Sequence, residues 1–240
     1  MQAIIFDCDG VLVDTERDGH RVAFNQAFEA LGLGARWDVP TYGELLLVAG
    51  GKERMRHYFD QHGWPAGGDG SKDELIASLH RKKTDFFTDI IATGQLPLRP
   101  GIQRIVDEAI AAGVRLGVCT TSAPKAIDGV LDLLGPERKA KFEFVHAGDV
   151  VSRKKPDPEI YELAKTSLGL PVSECIVIED SRNGLLAATG AGLPCLITTS
   201  AYTTDEDFGG AVAVVPELGD APNVRVTLAD LSRLASSGAA

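Results

Sequence analysis

The sequence predicts an α/β protein: a doubly wound, Rossmann-like sheet interrupted by an inserted α-helical module. Three observations carry that reading. Short apolar runs recur along the 240 residues, helical patterns separate the later runs, and only helical patterns fill the stretch after the first run. The runs are Ala3–Phe6, Val114–Cys119, Phe142–His146, Cys175–Glu179, Cys195–Thr198 and Ala211–Val215. Several are nearly continuous Val, Ile and Leu rather than alternating, as parallel strands covered on both faces should be. Ile102, Ile105, Val106, Ala109 and Ile110 fall at helical spacing after Pro100-Gly101, and Gly113 stops that helix. Asp157 as N-cap with Pro158 at the first helical position opens another, which Gly169 ends. Strand and helix therefore alternate from residue 97 onward, the order of a doubly wound sheet.

From Thr15 to Gly94 the pattern changes. Phe24, Ala27, Phe28 and Leu31 share one helical face, and further helices are predicted over 44–62 and 71–92. Ser71-Lys72-Asp73-Glu74 reads as a capping box, and Trp64 to Gly70 as a turn-rich connector. Residues 1–15 and 94–240 are thus assigned to one α/β domain and 16–93 to an inserted helical module, with hinges near 15–17 and 93–97.

Composition bounds the function. Hydrophobic residues make up 44% and charged residues 24%, the balance of an ordinary globular chain rather than a disordered one. A chain of this length buries roughly 70% of its unfolded surface, enough for a core without staples. The net charge of −10 disfavours general nucleic-acid or anionic-membrane binding. No apolar run approaches a membrane span, and no signal or transit peptide is visible in the numbered residues. Cys8, Cys119, Cys175 and Cys195 lie far apart in or beside apolar runs, so buried free thiols in a reducing compartment are expected. The five histidines form no zinc-binding spacing.

Four segments carry the chemistry. Asp7-Cys8-Asp9-Gly10 ends the first strand with two carboxylates aimed into the crevice where open α/β sheets bind ligands, and Gly10 lets the chain turn away. Thr120-Thr121-Ser122 ends the next strand with hydroxyls and N–H groups suited to phosphate oxygens. Lys154-Lys155-Pro156-Asp157-Pro158 sets an ammonium beside a helix start, and Glu179-Asp180-Ser181 ends a buried strand in two acids. Each has a plainer reading alone: solvated turn acids, strand-end hydroxyls, surface lysines. Two acid pairs at buried strand ends call for a hard counter-ion such as Mg²⁺.

In chain order, these acid–acid, hydroxyl, lysine and acid–acid segments resemble the haloacid dehalogenase superfamily of phosphatases, and the helical insertion resembles that superfamily's cap. Asp7–His20, Tyr42–Leu46, Gly50–Arg54, Leu98–Gly101 and Ala147–Val151 resemble more closely the CbbY-type xylulose-1,5-bisphosphate phosphatases, nearest their photosynthetic-eukaryote branch. The resemblance implies a phosphoric monoester hydrolase with Asp7 as nucleophile and Asp9 as acid and then base. Thr120, with Thr121 and Ser122, would hold the phosphoryl oxygens, and Lys155 would offset charge between Asp7 and phosphate. Mg²⁺ would be held by Asp7, the backbone carbonyl of Asp9 and Asp180, with Glu179 bound directly or lying just outside and Asn183 acting through water.

The same resemblance implies that Glu16, His20, Tyr42, Gly50, Gly51, Lys52 and Arg54 of the cap bind substrate, with Lys52 and Arg54 on the phosphate that is not cleaved. Against related caps, Gly19 falls where His is expected, so His20 fits only with a one-residue insertion. Gly50-Gly51-Lys52-Glu53 is not a P-loop, because Leu46 and Glu53 break that pattern. The implied substrate is a small phosphorylated sugar inhibitory to Rubisco. A monomer without a stable partner is expected, in the chloroplast stroma if a transit peptide precedes the numbered chain and otherwise in the cytoplasm. A β-phosphoglucomutase-like phosphomutase shares the core motifs. A phospho-aspartate receiver and a non-catalytic phosphosugar-binding protein fit less well, the first for its shorter, uninterrupted chain and the second because no motif is degraded.

Overall fold

The computed structural model describes residues 1–65 and 71–237. Six strands form one sheet: β1 (Ala3–Phe6), β2 (Arg115–Thr120), β3 (Phe142–Ala147), β4 (Cys175–Glu179), β5 (Cys195–Thr198) and β6 (Ala213–Val215). Their order is β3-β2-β1-β4-β5-β6 and every neighbouring pair is parallel. This is the doubly wound arrangement, with its switch point between β1 and β4, whose residues are all buried. The β6 strand begins two residues later than its apolar run suggests.

Among the described residues, ten α-helices surround or extend the sheet. The first four, α1 (Arg21–Ala30), α2 (Val39–Leu45), α3 (Gly51–His62) and α4 (Lys72–Ala92), come between β1 and β2. The others are α5 (Ile102–Ala111), α6 (Pro124–Asp132), α7 (Pro136–Lys139), α8 (Glu159–Leu168), α9 (Arg182–Gly190) and α10 (Leu228–Ser237). Alternation along β1 sends Ile4 and Phe6 to one face, against α5, α6 and α10, and Ala3 and Ile5 to the other, against α8 and α9. All four cysteines are buried and free.

The inserted helices have an aromatic core of their own, in which Trp37 packs 4.7 Å from Phe24 and 4.9 Å from Phe28 between ring centroids. Helix α4 belongs to both cores: Ile76 and Leu79 pack within the insertion, whereas Phe87 and Ile91 pack against the sheet side. The two chain crossings run side by side, with Arg99 N–H donating to Leu12 O at 2.8 Å. The single helix expected over 44–62 is two. Asp38 caps α2 by accepting from Thr41 N–H at 2.8 Å, and Gly50, at φ +94°, breaks the chain before α3. Helix α8 starts one residue after the expected position, so Pro158 rather than Asp157 is its N-cap, and Asp157, one residue further out, accepts from Glu159 N–H at 3.0 Å. The expected connector falls partly on residues 66–70, outside the described residues.

The expected capping box at α4 is present, with Ser71 Oγ accepting from Glu74 N–H and Glu74 Oε2 accepting from Ser71 N–H. Ser71→Ala should cost about 1 kcal/mol. A thermal melt should then show a midpoint about 2–4 °C lower.

Candidate active site

The switch point gathers acids. Asp7 continues the β1 ladder, its N–H donating to Ile178 O at 2.9 Å, and Glu179 and Asp180 end β4 alongside. One oxygen from each of Asp7, Glu179 and Asp180 lies within 4.8 Å of the others. Two glycines make this approach possible. A Cβ on Gly10, at φ +82°, would sit 2.0 Å from Asp180 Oδ2, and one on Gly184 would sit 2.0 Å from Glu179 Cδ.

Lys155, buried, donates to Asp7 Oδ1 at 2.7 Å, to Cys119 O at 2.9 Å and to Glu179 Oε1. Tyr161 Oη also donates to Glu179 Oε1, and Asp180 N–H donates to Oε2 at 3.2 Å. Glu179 therefore uses both oxygens within the protein. Asp180 Oδ2 accepts from Ser200 Oγ at 2.7 Å. Asp7 Oδ2 has no protein partner among the described residues.

Two of the three buried carboxylates, Asp7 and Glu179, share a single lysine, and Asp180 has none. Burial pushes Asp7 up to about 8 despite the opposing attraction of Lys155, with Glu179 and Asp9 adding to the rise. Burial raises Asp180 well above the carboxylate range, and Asp7 and Glu179 add to it. Burial opposes the charge on Lys155 too, but Asp7 and Glu179 outweigh it and hold its pKa above the ordinary lysine value. This excess of hard oxygen donors fits a divalent cation, with Asp7 and Asp180 as carboxylate ligands and Glu179 as the group that positions Lys155.

Asp9 faces the hinge. Its Oδ1 accepts from Thr15 Oγ1 at 2.6 Å and meets His20 Nε2 at 2.8 Å, and its Oδ2 accepts from Ser122 Oγ. Burial opposes ionisation of Asp9, but His20 and the two hydroxyls outweigh it and hold the carboxyl below its usual range. His20 reaches this position because the chain inserts one residue: His20 N–H donates to Thr15 O and Arg21 N–H to Glu16 O, the i→i−5 pattern of a π-turn. The expected insertion is thus a widened first turn. Behind the ring, Lys83 Nζ lies 2.8 Å from His20 Nδ1. An ammonium only donates, so Nδ1 accepts and Nε2 carries the proton offered to Asp9.

The cleft above these groups is lined by Asp7, Asp9, Glu16, His20, Gly50, Gly51, Arg54, Thr120, Thr121, Ser122, Lys155, Glu179, Asp180 and Asn183 of the expected set. Ser122 N–H donates to Thr120 Oγ1 at 3.1 Å. Arg54 is buried, with Nε on Leu45 O at 3.1 Å and Nη1 on Tyr42 Oη at 2.8 Å, leaving Nη2 without a protein partner among the described residues.

Two residues, Tyr42 and Lys52, depart from expectation. Tyr42 is wholly buried outside the cleft lining, where its hydroxyl donates to Glu16 and accepts from Arg54, so it supports those two residues. Lys52 turns away to Asp149, which also pairs with Lys154 at 2.7 Å. Asn183 directs its amide at Leu47 O, 3.4 Å away, joining the start of α9 to the cap.

Sequence reasoning passed over Lys83, His80, Ser200 and Tyr202, which also line the cleft. Lys83 reads as part of the charge run Arg81-Lys82-Lys83. The available signal was its place in the stripe Ile76, Leu79, Lys83, Phe87, whose members are all buried.

A haloacid dehalogenase-like hydrolase family model matches residues 1–192. The chain belongs to the haloacid dehalogenase-like hydrolases. Within them it is 51% identical over 231 residues to a CBBY-like protein of Arabidopsis thaliana, covering 95% of this chain and 72% of that one. It is 43% identical over 222 residues to CbbY of Cupriavidus necator, covering 92% of this chain and 87% of that one. The crystal structure of CbbY from Rhodobacter sphaeroides in complex with phosphate matches with a TM-score of 0.87 at 40% identity, covering 96% of this chain and 99% of that one. The chain is therefore a CbbY-type phosphatase of the haloacid dehalogenase-like family.

Gly10→Ala should drive a methyl into Asp180 and weaken divalent-cation binding by about 10- to 100-fold, read by titration calorimetry with Mg²⁺. Unchanged affinity would remove Asp180 from the ligand set. Burial also lowers Lys83 to about 8 from 10.5, against the attraction of Asp9 and Glu16. At this group the unfolded chain then binds more protons between those two values, so the contribution of Lys83 to folding stability should rise with pH across that window, by about 3 kcal/mol. Burial raises the four thiols, whose contribution falls over the same range, so urea unfolding at stepped pH should show the Lys83 rise as a growing difference between the unmutated protein and Lys83→Met.

Proposed function

We propose that this phosphatase hydrolyses xylulose-1,5-bisphosphate, with Mg²⁺, through a phosphorylated Asp7. The observation that carries the reading is the chemical division of one cleft. Acids, Lys155 and Thr120 line its core end, and the buried Arg54 with Gly50 and Gly51 lines its cap end. A substrate with one phosphate to cleave and a second to hold fits that division. A mutant of CbbY from Rhodobacter sphaeroides, solved in complex with xylulose-(1,5)bisphosphate, matches this chain with a TM-score of 0.86 at 39% identity, covering 96% of this chain and 99% of that one.

Asp7 Oδ2, free of protein partners, attacks phosphorus in line. Asp9, ionised in the free site, takes a proton from solvent as the phosphate dianion enters beside it and passes that proton to the leaving sugar oxygen. Water then attacks the aspartyl-phosphate while Asp9 takes its proton. Lys155 and Thr120 face the phosphoryl oxygens throughout and stabilise their charge. Mg²⁺, held by Asp7, Asp180 and the Asp9 carbonyl, supplies charge neutralisation at the transferring group. On this reading the enzyme removes an inhibitor of Rubisco, in the chloroplast stroma if a transit peptide precedes the numbered chain and in the cytoplasm otherwise.

Phosphate release should be greatest with xylulose-1,5-bisphosphate among sugar mono- and bisphosphates, and should stop in excess EDTA. Asp7→Asn should abolish turnover, and Asp9→Asn should slow it by about 10²–10⁴-fold. Arg54→Ala should lower the specificity constant for the bisphosphate, relative to that for a small phosphate ester, by roughly 10- to 150-fold. A preference for monophosphates in the unmutated protein would overturn the substrate, and full activity of Asp7→Asn would overturn the mechanism.

A further inference from the structure

We propose that His80 is a specificity-determining residue whose ring donates a hydrogen bond to the phosphate that is not cleaved. The inference rests on the bisphosphate reading above and adds a contact that the sequence motifs do not contain.

His80 lies one helical turn before Lys83 on α4, and its half-buried ring lines both the cleft and the adjoining recess walled by Lys52, Asp149 and Lys154. Neither ring nitrogen has a hydrogen-bond partner among the described residues. Both nitrogens reach the solvent of the cleft, where an entering anion can take the place of water as their partner. The ring packs close to the start of α3, where a Cβ on Gly51 would be 3.3 Å from both Cδ2 and Nε2. The first N–H groups of that 12-residue helix have no acceptors within the helix.

The surroundings select the ligand's charge. Lys83, Lys52 and Lys154 all act on the ring, and Asp149 is the acid that opposes them. Burial, then these lysines, lowers His80 to about 4, so at neutral pH the ring is uncharged and offers one N–H. A phosphate entering between this N–H and Arg54 Nη2 would meet two unused donors. A small ester cleaved at Asp7 has no group at that end of the cleft.

The test compares His80→Ala and His80→Gln with the unmutated enzyme on xylulose-1,5-bisphosphate and on p-nitrophenyl phosphate. The ratio of the two specificity constants should fall by about 10- to 100-fold in His80→Ala, through KM for the bisphosphate, with partial recovery in His80→Gln, which keeps a donor. In Asp7→Asn protein, the His80 ring nitrogens should shift in ¹⁵N spectra when xylulose-1,5-bisphosphate is added and stay in place with inorganic phosphate. An unchanged ratio, or a ring that does not respond to the bisphosphate, overturns the role of His80 and leaves the substrate reading standing. An unmutated enzyme without preference for the bisphosphate overturns both.

Discussion

The buried ammonium of Lys155 is the interaction on which the rest of the site depends. Removing an ammonium and two carboxylates from water is expensive, and only close pairing with further hydrogen bonds offsets the cost. Here the ammonium reaches Asp7, Glu179 and Cys119 O, and Tyr161 adds a donor to Glu179. The four strand-end motifs, separated in sequence, meet because the sheet order sets β1 between β2 and β4. Gly184 and Gly10 then remove the side chains that would keep Glu179 and Asp180 out of reach. The lysine nevertheless balances only part of the negative charge, and the unbalanced remainder is what makes this a cation site.

A second set of contacts joins the cap to that centre. Asp9 comes from the core, His20 from the widened turn at the first hinge, and Lys83 from α4, so one chain of polar contacts passes from the nucleophile loop into the insertion. The other crossing is fixed by Arg99, whose guanidinium donates to Gly10 O, to Thr199 O at 2.6 Å and to Pro216 O at 2.5 Å. Arg99 thereby ties the hinge to the loop bearing Gly10 and to the end of β5, where Ser200 holds Asp180. Cap position and the geometry of the acids are thus mechanically linked through backbone carbonyls.

The core was readable because its signals are local. Continuous apolar strands ending in Asp-x-Asp, Thr-Thr-Ser and Glu-Asp state both the element and the chemistry at its end, and the two acid pairs cannot be buried there without a counter-charge. The cap was less readable because the roles of its polar residues depend on partners distant in sequence. Lys52 was expected at phosphate but meets Asp149, and Tyr42 was expected at substrate but is sealed between Glu16 and Arg54. Lys83 was hidden in a charge run because burial of a lysine shows only when the apolar stripe around it is followed. The split between α2 and α3 turned on one Asp38 cap and the positive φ of Gly50, signals easily lost inside a longer helical pattern.

An acidic protein that binds an anionic substrate needs its positive charge in particular places. The chain has 24 Lys and Arg against 34 Asp and Glu, so its overall field repels polyanions. Inside the cleft the balance is arranged residue by residue. Lys155 is committed to the acids, Lys83 to His20, and Lys52 with Lys154 to Asp149. Arg54 differs: Tyr42 and backbone carbonyls fix its orientation, and Nη2 is left over. Lys155, with all three N–H groups engaged, adds field without offering a free donor, whereas a clamped arginine offers a donor in a fixed direction, since its planar fork is already oriented. That distinction lets one fixed donor point into the cleft while the overall field of the molecule repels extended anions.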